Sequence, residues 1–234
     1  MAPTKNSGGS SGGNKQKQSS ILLKVILLGD GGVGKSCLMN RFIQNRFDTT
    51  LFHTIGVEFL NKEVNYQDQG YTIQIWDTAG QERFKSLRTP FYRGSDICVL
   101  TFSLDDPASL NNLSTWQQEF LYYADVAKSE DFPFVVLGNK VDIDESQRKV
   151  SYEEAKRWCE SNKMPYFETS AKDGTNVEEA FVKGVELWRE NDLRFDGRVG
   201  VPGQSGAGNG GRSRTIIVDS TNSRGEQQKS ACCF

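Results

Sequence analysis

In Gly29-Asp30-Gly31-Gly32-Val33-Gly34-Lys35-Ser36 a glycine, four residues and Gly-Lys-Ser follow one another. Glycines at such points let backbone N–H groups turn inward, and they remove the Cβ atoms that would keep a phosphate out. Lys35 is spaced to reach the β- and γ-phosphates of a nucleoside triphosphate, and Ser36 to give its hydroxyl to Mg²⁺. A helix opening near Lys35 and carrying Cys37 adds the positive end of its dipole. Further motifs could complete such a site. Asp77 can hold Mg²⁺ through water. Gly80 offers a backbone N–H beside a γ-phosphate, and Gln81 a side chain able to orient water. Asn139-Lys140-Val141-Asp142 ends in a carboxylate, which accepts two parallel hydrogens. The N1–H and 2-amino edge of guanine presents such a pair, and adenine does not. Ser170-Ala171-Lys172 can supply a backbone N–H to the guanine oxygen. Singly these motifs say little, since an Asp at a strand end is often a helix cap and Asn-Lys-x-Asp could be a plain turn. All of them in this order, each after a strand, are hard to obtain by chance.

The elements that must position them follow from periodicity. Residues 21–28 form a nearly all-apolar run, which predicts a central buried strand leading into the loop, and residues 37–45 read as the helix leading out. Residues 46–55 have no clear period and read as a loop. Residues 56–66 alternate loosely, and a turn at 67–70 leads into 71–76, which predicts an antiparallel hairpin. Predicted strands over 97–102, 134–137 and 166–168 then alternate with predicted helices over 110–123, 152–161 and 177–189. That rhythm predicts an α/β fold, a parallel sheet covered on both faces, and the motifs fall at the carboxyl ends of its strands, where open α/β sheets bind ligands.

Composition narrows the classes. The chain has 234 residues, with Ser, Gly, Asn, Gln and Lys dominating 1–20 and Gly and Ser enriched in 194–234. Neither end holds enough large apolar side chains to offset its ordering entropy, so both read as flexible extensions of one domain at 21–193. The net charge of −2 divides into +3 on residues 1–20, +3 on 194–234 and −8 between them. A domain without basic excess is not expected to bind nucleic acid. No apolar run reaches the length of a spanning helix, and the N-terminus lacks a signal-peptide core. Cys37, Cys98 and Cys159 sit singly in apolar patterns and read as core thiols of a cytosolic protein. One histidine, His53, leaves no material for a His-based zinc site or a Ser–His triad.

Over about residues 21–193 the chain resembles the Rab branch of the small GTPases. The likeness rests on the motifs above and on three segments. They are Ile55-Gly56-Val57-Glu58-Phe59, the run from Trp76 through Asp77-Thr78-Ala79-Gly80-Gln81-Glu82 to Arg83-Phe84, and Phe91-Tyr92-Arg93-Gly94. Ser86 to Asp96 and Glu119 to Val126 are most similar to the late-endosomal Rab-nine type, with the Rab-seven type as near relative and alternative. The resemblance implies the P-loop NTPase fold, a mostly parallel six-stranded sheet with one antiparallel edge strand and helices on both faces. It implies GTP and GDP as ligands, Mg²⁺ as cofactor, and slow hydrolysis with Gln81 orienting water. Phe47 would pack on the guanine ring, and Thr54 would close on Mg²⁺ and the γ-phosphate, making 46–55 and 77–92 the two switch segments. Gly31 matches a position that tolerates little bulk without loss of hydrolysis. Phe59, Trp76 and Phe91 match an apolar triad through which Rabs meet effectors; ordinary core is the alternative reading of these three.

The chain ends Ala231-Cys232-Cys233-Phe234. Ala231 stands where a CaaX box needs cysteine, and the paired Cys232 and Cys233 resemble sites of double geranylgeranylation, with one Phe following the pair. Two lipid chains fit the physics, because one anchors only marginally. The family further implies exchange factors, GTPase-activating proteins, the Rab escort protein, the GDP-dissociation inhibitor and effectors as partners. It implies work on the cytosolic face of late-endosomal and Golgi-related membranes, in vesicle trafficking. Two rival readings stay open: an ATP-using phosphoryl-transfer enzyme on the same loop, and a nucleotide-locked scaffold without turnover.

Overall fold

The computed structural model describes residues 20–47, 54, 56–81, 85–126, 129–195 and 217–218. His53, Ile55, the segments 48–53 and 82–84, the N-terminal extension to residue 19 and the terminal Cys232 and Cys233 lie outside the described residues.

A mixed sheet carries the fold. Its strands are β1 (Ser20–Leu28), β2 (Val57–Tyr66), β3 (Gln69–Thr78), β4 (Ile97–Ser103), β5 (Phe134–Asn139) and β6 (Tyr166–Thr169), in the order β2-β3-β1-β4-β5-β6. All pairings along that path are parallel except β2 with β3. This is the expected sheet with its single antiparallel edge strand. A short seventh strand, β7 (Ile217–Val218), was not expected; it runs antiparallel to the start of β1, pairing Ser20 with Val218 and Ile21 with Ile217. The register explains the room for it. Partnership with β4 begins only at Val25, so the first residues of β1 have one edge open, and Ile216-Ile217-Val218 is a β-branched run inside the Gly-rich tail.

The helices are α1 (Lys35–Gln44), α2 (Lys85–Arg88), α3 (Pro107–Asn111), α4 (Leu113–Ala124), α5 (Tyr152–Ser161) and α6 (Val177–Phe195). The single helix expected over 110–123 is thus two. Asp106 caps α3 by accepting from the Ala108 N–H, and Pro107 occupies the first turn, where its missing donor costs nothing. Asn112 joins the two while keeping right-handed angles of −75° and −12°. The 67–70 turn resolves into a two-residue loop, Gln67 and Asp68, both with left-handed φ (47° and 63°), the handedness that matches strand twist in a tight hairpin.

Period-two alternation along β1 assigns its side chains to two cores. Leu23, Val25 and Leu27 face one way, with Leu38, Met39 and Phe42 of α1 and Phe181 and Val185 of α6. Ile26 and Leu28 face the other way, with Trp116 and Phe120 of α4 and Ala155 and Cys159 of α5. Every residue of β4 and β5 is buried, as fits central parallel strands covered on both faces. Full burial of a side chain such as Phe120 is worth roughly 1.5–3 kcal/mol. With both faces packed, the ligand-sized opening lies at the carboxyl ends of the strands.

Candidate functional site

At that end the phosphate-loop residues, α1 and the loops after β3, β5 and β6 enclose a cleft of about 410 Å³. β1 ends at Leu28, and the chain turns through Gly29 to Gly34 before α1 opens at Lys35. Gly34 caps that helix with φ +96°, and a Cβ there would lie 2.3 Å from Asn139 Nδ2, so glycine is required on both counts. The Lys35 ammonium is buried inside the turn and donates to the carbonyls of Gly29 (2.7 Å) and Asp30 (2.8 Å). Burial lowers its pKa to about 8, against the opposing pull of Asp77 and Asp30. Val33 is fully buried, and its carbonyl accepts from Asn139 Nδ2 at 2.8 Å. Gly31, Gly32, Gly34, Lys35, Ser36 and Cys37 line the cleft. Asp30 does not; both its carboxylate oxygens turn outward to α4.

One corner gathers hard oxygen atoms. Asp77 and Thr78 are the last two residues of β3 rather than lying after it, and the Asp77 carboxylate meets Ser36 at the start of α1. Its Oδ2 accepts from the hydroxyls of Ser36 and, at 3.1 Å, Thr54, and the two hydroxyls are 2.6 Å apart. Asp77 Oδ1 is buried with no hydrogen-bond partner. Burial raises the carboxyl pKa, opposed by the Ser36 hydrogen bond and the Lys35 charge. A buried, half-satisfied carboxylate is costly unless something else engages it. Beside this corner Gly80 abuts the phosphate loop, where an added Cβ would stand 2.4 Å from the Asp30 carbonyl carbon. Gln81 follows and lines the cleft.

The far end of the cleft is held by side chains bonding across loops. Asn139 is the last residue of β5, two beyond the expected strand end, and is buried. Besides holding Val33, its Oδ1 accepts from the Ala171 N–H at 3.2 Å and the Thr169 hydroxyl at 3.4 Å. Of the 170–172 segment expected to supply a backbone N–H to a base oxygen, the Ala171 N–H is therefore already engaged by a long bond. Lys140 has φ 74°, and its ammonium pairs with Asp105 at 3.1 Å. Asp142 accepts from the Ser170 hydroxyl at 2.6 Å, while Lys172 Nζ stands 3.6 Å from its other oxygen. Lys140, Asp142, Ala171 and Lys172 line the cleft, and Ser170 lies behind them, buried. Phe47 lines it too, 39% exposed.

Phe59, Trp76 and Phe91 gather outside the cleft. Phe59 stacks on Trp76 at 4.8 Å between ring centroids, and Trp76 meets Phe91 at 5.4 Å. Phe59 is 48% exposed and the other two are half-buried.

Some residues of the site escaped the sequence reading. Asn40, Glu58 and Ile143 also line the cleft. Asn40 follows Ser36 by four residues and so shares its helix face, a signal that was available. Arg41 gave no such signal: its guanidinium spans from α1 to the carbonyls of Ala171 (2.8 Å) and Lys172, tying the loop after β6 to the helix of the phosphate loop.

A sequence model of the Ras family matches residues 24–190. The chain is 68% identical over 178 residues to the human Ras-related protein Rab-9A, covering 76% of this chain and 88% of that one. It is 65% identical over 167 residues to human Rab-9B, covering 71% and 82%. To Rab7A of Mesembryanthemum crystallinum it is 56% identical over 162 residues, covering 68% and 78%. Matched over most of its length by the family and by these relatives, and carrying their expected fold around one strand-end cleft, the chain belongs to the Ras family of small GTPases, in its Rab branch.

Proposed function

We propose that the cleft residues run this Rab as a Mg²⁺-dependent GTP/GDP switch of the Rab-nine type, acting on late-endosomal and Golgi-related membranes. As a Rab GTPase the protein binds GTP and GDP, hydrolyses GTP and serves vesicle trafficking with regulators and effectors. The observation that carries the residue-level reading is the orphaned Asp77 oxygen beside two hydroxyls. Such a donor set fits Mg²⁺, a hard cation that takes oxygen ligands, and Ser36, Thr54 and Asp77 would hold it. A Mg²⁺ held there would supply neutralisation of phosphate charge.

The chain's own residues do the rest. The loop backbone and Lys35 cradle the phosphates; an ammonium already seated among carbonyls needs little reorganisation to meet them. Gly80 gives its N–H beside the γ-phosphate, and the Gln81 amide orients the attacking water. Phe47 covers one face of the guanine, Asp142 reads its N1–H and 2-amino edge, and Ala171 turns its N–H from the long Asn139 bond to the base oxygen. Loss of the γ-phosphate releases Thr54 and Gly80 together and loosens the segments that carry them. The Phe59–Trp76–Phe91 stack, with Phe59 exposed and the other two half-buried, offers effectors an apolar surface whose shape follows the nucleotide. The terminal Cys232 and Cys233 carry two geranylgeranyl groups, delivered by the escort protein and masked by the dissociation inhibitor, with exchange factors and GTPase-activating proteins setting the cycle. The lean to the Rab-nine over the Rab-seven type rests on 68% against 56% identity.

The test is Gln81→Leu, which keeps volume and removes the amide. GDP affinity should hold, and single-turnover phosphate release should fall by orders of magnitude, roughly 10³–10⁵ where a partner's acceleration depends on the amide. An unchanged rate ends the assignment of Gln81.

A further inference from the structure

We propose that Arg88 is a positioning residue for hydrolysis, through which helix α4 sets the distance between the Gln81 loop and the phosphate loop. The inference rests on the reading of Gln81 given above. Three side chains one turn apart at the start and along one face of α4, Asn112, Trp116 and Glu119, reach both walls of the reacting end. Asn112 Nδ2 and Trp116 Nε1 each donate at 2.7 Å to the two oxygens of Asp30 in the phosphate loop. Glu119 accepts from Arg88 Nε at 3.1 Å and from the Tyr92 hydroxyl at 2.9 Å, and Lys85 lies 3.1 Å away. Arg88 Nη1 then donates at 2.8 Å to the main-chain carbonyl of Gln81. Its guanidinium lies over the Trp116 ring, 4.4 Å from the centroid, and closes the circuit from Gln81 through Arg88 and Trp116 to Asp30.

The placement is directional rather than merely cohesive. Arg88 is 2% exposed, and a buried cation is costly unless its donors are matched one by one. An apolar side chain would fill the same volume; a guanidinium fixes where each partner stands, because its donors form a rigid fork. Burial alone would raise the Glu119 carboxyl, yet the hydrogen bonds from Arg88, Tyr92 and Lys85 outweigh it and keep it below its ordinary value, so the anchor stays charged. The two walls already touch, since the position of a Gly80 Cβ is 2.4 Å from Asp30. A small slip of either against α4 therefore changes where the Gln81 amide points.

The test uses the full-length protein loaded with GTP and reads hydrolysis and nucleotide release separately. Arg88→Gln should slow single-turnover hydrolysis by about ten- to a hundredfold, as a misplacement near 1 Å does, while GDP release changes less than about twofold. Arg88→Lys should fall between, keeping one donor for the carbonyl. Trp116→Phe removes the bond to Asp30 and leaves a smaller ring beneath the Arg88 guanidinium; it should slow hydrolysis severalfold alone and add little in the Arg88→Gln background, because both cut one circuit. Amide exchange over 79–81 should quicken in Arg88→Gln while that of 97–103 stays as in the parent. Should Arg88→Gln fail to fold, Arg88→Lys and Trp116→Phe carry the test. Parental hydrolysis in the folded Arg88 variants, with Gln81→Leu impaired, overturns the inference and leaves Gln81 in place. Parental hydrolysis in Gln81→Leu instead removes the reading on which the inference rests. Slowed hydrolysis matched by equally faster GDP release would make Arg88 a general brace of the cleft and also overturns it.

Discussion

Replacing Asp142 by Asn should exchange guanine for xanthine, and the local hydrogen bonds dictate which way the new amide faces. Ser170 Oγ accepts from the backbone N–H groups of Lys172 and Asp173, both at 3.1 Å. Its lone pairs so engaged, the hydroxyl hydrogen must go to Asp142 Oδ1, 2.6 Å away. In Asp142→Asn the amide oxygen takes that place, and the NH₂ falls where Oδ2 stood, beside Lys172 and the base. The flipped amide would set donor against donor at Ser170. Guanine's 2-amino group then meets an NH₂, and one charge-assisted pair becomes a mispaired contact in a site where Asp142 is only 17% exposed. Such a loss costs about 1.5–3 kcal/mol, roughly ten- to a hundredfold in affinity. Xanthine carries a carbonyl at position 2 and accepts from the new amide, so XTP should gain while GTP loses. Competition of GTP, XTP and ATP against a fluorescent GDP analogue measures the ratio in parent and variant. Adding Ser170→Ala to the variant frees the amide to flip and should return part of the lost GTP affinity. An unmoved GTP-to-XTP ratio refutes base reading by Asp142, and ATP competing with the parent as well as GTP does refutes the guanine site altogether.

Gly34→Ala combines left-handed strain of about 1–2 kcal/mol with overpacking of about 1–3 against Asn139. It should lower the urea midpoint and weaken GDP and GTP alike. Glu119 has a folded pKa below its unfolded value, so its contribution to stability is present above the unfolded value and is lost as pH falls through the folded one. Glu119→Gln should therefore melt lower at pH 7, and its gap from the parent should close in acid below about pH 4. Changing both Cys232 and Cys233 to Ser should leave a soluble protein that still binds GDP, and intact mass of the parent from cells should show two prenyl groups; membrane retention without them would place the anchor elsewhere.

Which residues would meet in the cleft was legible because each motif is local. Four residues separate Gly29 from Gly34, and Asn139 and Asp142 are three apart, so the chain itself presents these groups together once a strand ends beside them. The parallel character of the sheet was legible from the alternation of strands and helices, and the one hairpin announced itself at 67–70, whereas the order of the strands was not read. Boundaries were less so. Asp77 and Asn139 look from the sequence like residues beyond their strands, whereas ladder partners on both sides keep them inside β3 and β5. The break at Asn112 has no breaker residue to mark it. Arg41, Arg88, Trp116 and Glu119 were illegible in principle, since their partners lie 131, 7, 86 and 31 residues away and no periodicity encodes such pairs.

The two ends of the cleft are built on different principles. At the base end Asn139 is a hub: one buried amide holds Val33 of the phosphate loop with its nitrogen and the Ala171 and Thr169 groups with its oxygen. Arg41 adds a second span from α1 to the same loop. These bonds run between elements fixed by the central sheet, so the base end has little freedom to move. At the reacting end, by contrast, Thr54 and Gln81 lie outside the strands and helices. Thr54 is held by Ser36 and Asp77, the groups proposed to meet Mg²⁺, and the Gln81 carbonyl by Arg88 on its short helix. A ligand added at this end competes for or completes those few bonds, and each is worth only about 1–3 kcal/mol. On the proposed reading, a single γ-phosphate would therefore be enough to change how Thr54 and Gln81 are held, while the base end would keep the nucleotide bound through the change.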